Sequence, residues 1–95
     1  MIRQKVIPEQ DGVAQELVYP ALFHFRIIAD SEVSVEPALT EVLGAYQVTI
    51  PLMPSHASSG GRYMAFSVSI LMRNREELEA FDAAARKIPG VRMLL

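Results

Sequence analysis

The sequence predicts an α+β domain, a four-stranded antiparallel sheet carrying two helices on one face in the order β-α-β-β-α-β. Two observations carry that prediction. Apolar residues alternate with period two in several segments of the 95-residue chain, and between those segments they recur at helical spacing. Cap and turn residues separate one segment from the next.

Residues 1–19 are punctuated by Pro8 and Asp11-Gly12, closed by Pro20, and read as a loosely attached arm ahead of a domain spanning 20–95. Leu22 to Ala29 alternates, with Phe23, Phe25 and Ile27 on one face and His24 and Arg26 on the other. Asp30-Ser31-Glu32 offers loop chemistry. Ser34 is the expected cap of a short helix with Glu36 and Pro37 in its first turn, where proline is tolerated. Leu39, Val42 and Leu43 form its apolar stripe, and Gly44 ends it. Ala45 to Met53 is strand-like again, with Tyr46, Val48, Ile50 and Leu52 expected on one face and Gln47 and Thr49 on the other. Pro51 and Pro54 cannot donate to a ladder, so this strand belongs at an edge.

Ser55 to Gly61 is a Gly/Ser-rich connection. Tyr63 to Met72 is the clearest strand, with Met64, Phe66, Val68 and Ile70 inward and Ser67 and Ser69 outward. Asn74 with Glu77 three residues later matches a capping box, and Leu78, Phe81, Ala85 and Ile88 follow at helical spacing. Pro89-Gly90 stops that helix, and Val91 to Leu95 forms a last short strand. Right-handed crossovers then leave the ferredoxin-like arrangement as the simplest topology, with the first and third strands central and the second and fourth at the edges.

Apolar residues make up 51% of the chain and charged residues 21%, an ordinary globular balance. The formal net charge of −2 lacks the Lys and Arg excess that displaces counterions from phosphates, so no nucleic-acid partner is expected. The chain has no cysteine, which removes disulfides, zinc–thiolate sites, iron–sulfur clusters and thiol nucleophiles together. The first residues lack the pattern of a secretory leader, and no apolar run approaches the ~20 residues that span a bilayer. The expectation is a cytoplasmic domain with no membrane partner.

Ser58-Ser59-Gly60-Gly61-Arg62-Tyr63 through Ser67-Val68-Ser69-Ile70, and the ending Lys87-Ile88-Pro89-Gly90-Val91-Arg92-Met93-Leu94-Leu95, resemble the small YbeD-like proteins, a bacterial family of unknown function. Tyr19-Pro20 followed by Phe23 matches that family's first strand, so the resemblance covers about residues 19–95. The first helix matches less well, and Ala65 stands where a small hydroxyl residue is usual. The resemblance implies a ferredoxin-like fold similar to ACT regulatory domains, and it carries no catalytic residues or cofactor. ACT domains bind amino acids at a glycine-containing turn after the first strand. Here that turn reads Ala29-Asp30-Ser31-Glu32, without glycine.

Several side chains are candidates for chemistry. His24, Arg26, Ser67, Ser69 and Arg92 should share the sheet face that the helices leave open, with Gln47 and Thr49 beside them. Arg26 and Arg92 there could grip a carboxylate or phosphate, whereas antiparallel sheets commonly leave one polar face to water. Backbone N–H groups of the Ser55–Gly61 loop, assisted by Arg62, could form an anion-binding nest, although the loop lacks nucleotide-binding spacing and leads into a strand. His24 and His56 are too few and too isolated for a metal site. Tyr63 and Phe66 are three apart on a strand and point to opposite faces, which argues against an RNA-stacking platform. Ser55 beside His56 lacks the setting of a catalytic dyad. Asp30, Glu32 and Glu36 near a helix start are ordinary dipole complements.

The sequence-based reading is a regulatory or binding module that takes a small anionic ligand. Its alternatives are a protein-interaction module without ligand, then a small enzyme or an RNA binder. The last strand is apolar on both faces, with Met93 and Leu95 one way and Leu94 the other, so pairing through that edge into a homodimer is expected.

Overall fold

The computed structural model describes residues 18–55 and 59–95. Strand β1 (Ala21–Asp30) leads to α1 (Glu36–Leu43) and β2 (Gln47–Pro54). A 3-10 turn (Ser59–Gly61) precedes β3 (Tyr63–Met72), followed by α2 (Arg75–Arg86) and β4 (Val91–Leu94). The sheet order is β2-β3-β1-β4 with every neighbouring pair antiparallel, so β1 and β3 are central. The expected arm lies outside the described residues except for Val18 and Tyr19.

β1 and β3 pair without interruption from Ala21↔Met72 to Asp30↔Tyr63. An unbroken register keeps each face consistent from end to end. Ile27, Ala29, Phe66, Val68, Ile70 and Met72 are accordingly buried on one face, together with Leu39 and Leu43 of α1 and Phe81 and Ala85 of α2. Phe81 sits at the centre of this core. Its ring lies 4.8 Å from that of Phe25 and 5.5 Å, edge-on, from that of Tyr46. Burying one such aromatic side chain contributes about 1.5–3 kcal/mol.

Local details depart from the sequence expectations for physical reasons. Ser34 does not cap α1. Val35 occupies the N-cap position without a side-chain hydrogen bond, and its own side chain is buried in the core. Apolar anchoring thus sets the entry of α1. Gly44 ends α1 in the right-handed region, so glycine's freedom is not used there. In α2 the Asn74 side chain accepts from the Glu77 N–H at 2.8 Å, as a cap should. The Glu77 carboxylate turns back to the Arg73 N–H at 2.8 Å and to the Arg73 guanidinium at 2.7 and 3.0 Å, one residue earlier than a reciprocal capping box requires.

β2 departs most. Between Val48↔Ile70 and Ile50↔Ser69 it advances two residues against one of β3, and it gains another before Met53↔Ser67. These are β-bulges, one at Thr49 and one spanning Pro51, which has no N–H to offer. The first rotates Ile50 away from the core face, where alternation puts it, onto the face of Ser67 and Ser69. Ile50 is 48% exposed and Met53 50%. Val48 and Leu52 remain packed against the core.

Candidate binding surfaces

Both helices cover one side of the sheet, and among the described residues nothing covers the other, the bare face. β1 presents Leu22, His24, Arg26 and Ile28 there, opposite Leu71, Ser69, Ser67 and Ala65 of β3. The β1 side chains are large and those of β3 from Ala65 to Ser69 are small, so the bare face has a ridge along β1 and a trough along β3. Ala65 and Ser69 form the floor of the trough and are buried by their neighbours. The Ser69 hydroxyl and Nδ1 of His24 hydrogen-bond at 2.5 Å. The Thr49 hydroxyl donates to the Ser69 carbonyl at 3.3 Å. Ile50 and Met53 bound the face on the β2 side and Met93 on the β4 side, where Met93 is 53% exposed.

The structure therefore gathers four of the expected residues, His24, Arg26, Ser67 and Ser69, on one surface. It gives that surface an apolar margin that strict alternation along β2 hides. The visible signal was the pair of prolines in an edge strand, which requires ladder irregularity.

The other two expected residues, Arg62 and Arg92, belong elsewhere. They line an open cleft of about 450 Å³ at the end of β1, with Asp30, Ser31, Glu32, Val33, Gly60 and Gly61. Ile28 pairs with Met93 but Ala29 with Val91, which makes Arg92 the extra residue of a bulge in β4. The bulge aims Arg92 at Asp30, and its Nε donates to both carboxylate oxygens at 3.0 and 3.1 Å. The hydrogen bond to Asp30, then its charge, raises the pKa of the Arg92 guanidinium above the ordinary arginine value. Arg26 lies opposite Leu95, farther along β4, where the two residues exchange backbone hydrogen bonds of 3.1 and 2.8 Å. Arg26 and Arg92 thus serve different surfaces.

Ser31 latches the cleft shut at its base. Its hydroxyl donates to the Gly61 and Arg62 carbonyls at 2.5 and 3.0 Å, and its N–H donates to the Arg62 carbonyl at 3.0 Å. The lining holds two arginines and two carboxylates, so the cleft is charge-balanced and not basic. Among the described residues Arg62 makes no ion pair.

Tyr63 and Phe66 fall on opposite faces, as their spacing requires, and Phe66 is core. His56 and the middle of the Ser55–Gly61 nest, residues 56–58, lie outside the described residues. Among the described residues no cluster of His, Asp and Glu could hold a metal ion, and no helix is long and apolar enough to cross a membrane.

Comparison with known proteins agrees with this architecture. Residues 14–95 match the family model described as "Protein of unknown function (DUF493)". A UPF0250 protein of Shewanella loihica is 29% identical over 82 residues, covering 83% of this chain and 90% of the relative. The solution structure of HP0495 from H. pylori superposes with a TM-score of 0.74 at 23% identity, covering 94% of this chain and 96% of that one. The crystal structure of the ACT domain from the GTP pyrophosphokinase of Chlorobium tepidum gives 0.61 at 19% identity, covering 78% and 94%. At such identities these structures speak to fold alone. They are ACT-like ferredoxin folds, as the sequence predicted, and the YbeD-like resemblance is to this same family.

Proposed function

Because the chain belongs to the DUF493 family, whose function is unknown, we propose a function argued from its surface: it is a regulatory binding module that docks protein through its bare sheet face. One observation carries this reading. Leu22, Ile50, Met53 and Met93 are each about half exposed around that face, a concentration of large apolar side chains that a merely wetted sheet face would avoid. The central His24–Ser69 hydrogen bond and Arg26 supply the polar groups that fix orientation at such a contact. A photoreactive phenylalanine analogue at Met53, introduced in the protein's own cells, tests it. A discrete cross-linked species is expected, and its absence would refute face docking.

A second reading places a small anionic metabolite in the cleft. The guanidinium of Arg62, which makes no ion pair among the described residues, lies beside the Gly60-Gly61 turn and supports it. Asp30 and Glu32 narrow the choice to ligands that also carry a positive charge, because a simple anion would meet two carboxylates. Titration of the ¹⁵N-labelled protein with small carboxylates, phosphates and amino acids checks this. Shifts at Gly60, Gly61 and Arg62 that vanish in Arg62→Ala support the site, and an unmoved spectrum throughout removes it.

A further inference from the structure

We infer that the occupant of the bare sheet face is a second copy of this chain, packed face to face about a two-fold axis running parallel to the strands between β1 and β3. This rests on the docking reading above and names the partner. The face is self-complementary in a specific way. Such an axis keeps the level along the strands and exchanges the strands sideways, so β1 of one copy lies over β3 of the other. The in-sheet register then repeats across the interface, with His24 over Ser69, Arg26 over Ser67 and Ile28 over Ala65. Each ridge enters the other copy's trough, as layers that interdigitate must. The same operation sets β2 of one copy over β4 of the other. Ile50 and Met53 meet Met93 and Leu95, which are otherwise the exposed apolar margins of opposite edges.

The area is at the threshold. Strands of 10, 8, 10 and 4 residues, at about 3.3 Å per residue and about 4.8 Å apart, make a face of roughly 500 Å². A pair then buries on the order of 1,000 Å² in total, the size that a specific interface must reach. The contact is isologous and closes at two copies. Edge pairing through β4, the route expected from sequence, has less to offer. β4 has four residues, and its ladder is interrupted at Arg92.

Sedimentation analysis from micromolar to sub-millimolar concentration tests the pairing, and Ser67→Phe discriminates the geometry. Ser67 is exposed and phenylalanine suits a strand, so the fold should survive, which a thermal melt verifies. A nonspecific apolar patch would associate more tightly with an added phenylalanine. In the ridge-and-trough dimer the new ring collides with Arg26 of the second copy, and dissociation should rise about tenfold or more, as for overpacking. Arg26→Ala added to Ser67→Phe opens the space and should restore pairing.

The chain has no native cysteine, so Met53→Cys with Leu95→Cys gives a clean second readout. These positions share a level on opposite margins, about 10 Å apart across the gap between facing sheets, so a bismaleimide of about that span should link two copies. A monomer at all concentrations, or tighter pairing of Ser67→Phe, overturns the inference. The Met53 photocrosslink separates the two ways of failing. A product of this chain plus a different protein sinks the second copy and leaves docking standing, whereas no product at all sinks both.

Discussion

Gly90→Ala isolates the packing cost of one Cβ atom. Gly90 joins α2 to β4 with φ at +98°, a left-handed conformation that costs an L-residue about 1–2 kcal/mol. The space is also taken. A Cβ there would lie 2.8 Å from Cβ and Cγ1 of Val33 and 2.9 Å from Cγ1 of Val35. Val35 is 2% exposed and anchors the start of α1, so it cannot give way without disturbing the core. The Gly90 carbonyl also accepts from the Asp30 N–H at 2.8 Å, which fixes the turn against β1. Overpacking of this kind adds roughly 1–3 kcal/mol, for a total of about 2–5 kcal/mol.

Gly60 is the control. Its φ is +87°, yet among the described residues nothing lies within 4 Å of its Cβ position, so Gly60→Ala should cost only the conformational part. At about 4–8 °C per kcal/mol for a domain of this size, Gly90→Ala should melt roughly 10 °C or more below wild type. Urea unfolding of both variants separates the contributions, the difference between them being steric. Equal destabilisation of the two would refute the steric argument, and an unaffected Gly90→Ala would refute the turn geometry itself.

Other outcomes follow from the same structure. Phe81→Ala removes the ring at the centre of the core, touching Phe25 and Tyr46, and should cost about 3–5 kcal/mol in chemical denaturation. Asn74→Ala removes the acceptor for the Glu77 N–H and should cost about 1 kcal/mol, while Asn74→Asp should cost little. Glu77 responds to acid. Its hydrogen bonds from Arg73 hold its carboxyl below the ordinary value of 4.5. A depressed carboxylate contributes stability that is fully present above the unfolded pKa and is lost as pH falls through the lower folded one. Wild type should therefore lose stability below about pH 4.5 more steeply than Glu77→Gln, as melts across that range will read.

The legibility of the fold varied with the regularity of the ladder. β1 and β3 were readable residue by residue because their pairing is uninterrupted, so alternation in sequence is alternation in space. Asn74 was readable because a cap is a local interaction within one turn. Ile50 was not, since the bulge just before it reverses the parity that alternation assumes. Arg92 was misplaced for the same reason. In regular register Arg92 would oppose the buried Ala29, and a single inserted residue takes it off that face and makes it a partner of Asp30. The cap of α1 escaped because Val35 acts through tertiary burial, which no local motif announces. The cleft joins residues about thirty to sixty positions apart in the chain, brought together by the Asp30↔Tyr63 end of the ladder, the Ser31 latch and the Arg92–Asp30 ion pair.

The prolines and doubled bulges of β2 have a consequence for how the protein behaves when crowded. A growing cross-β stack needs an edge that offers evenly spaced donors and acceptors to the next chain. β2 offers an outline broken at Pro51 and Pro54, and β4 offers only four residues with a kink at Arg92. Neither side of the sheet is a template for endless addition. A chain with large apolar side chains exposed around one sheet face should thus resist seeding fibres when concentrated, and fusion tags or inserted segments that leave these two margins untouched should preserve that tolerance.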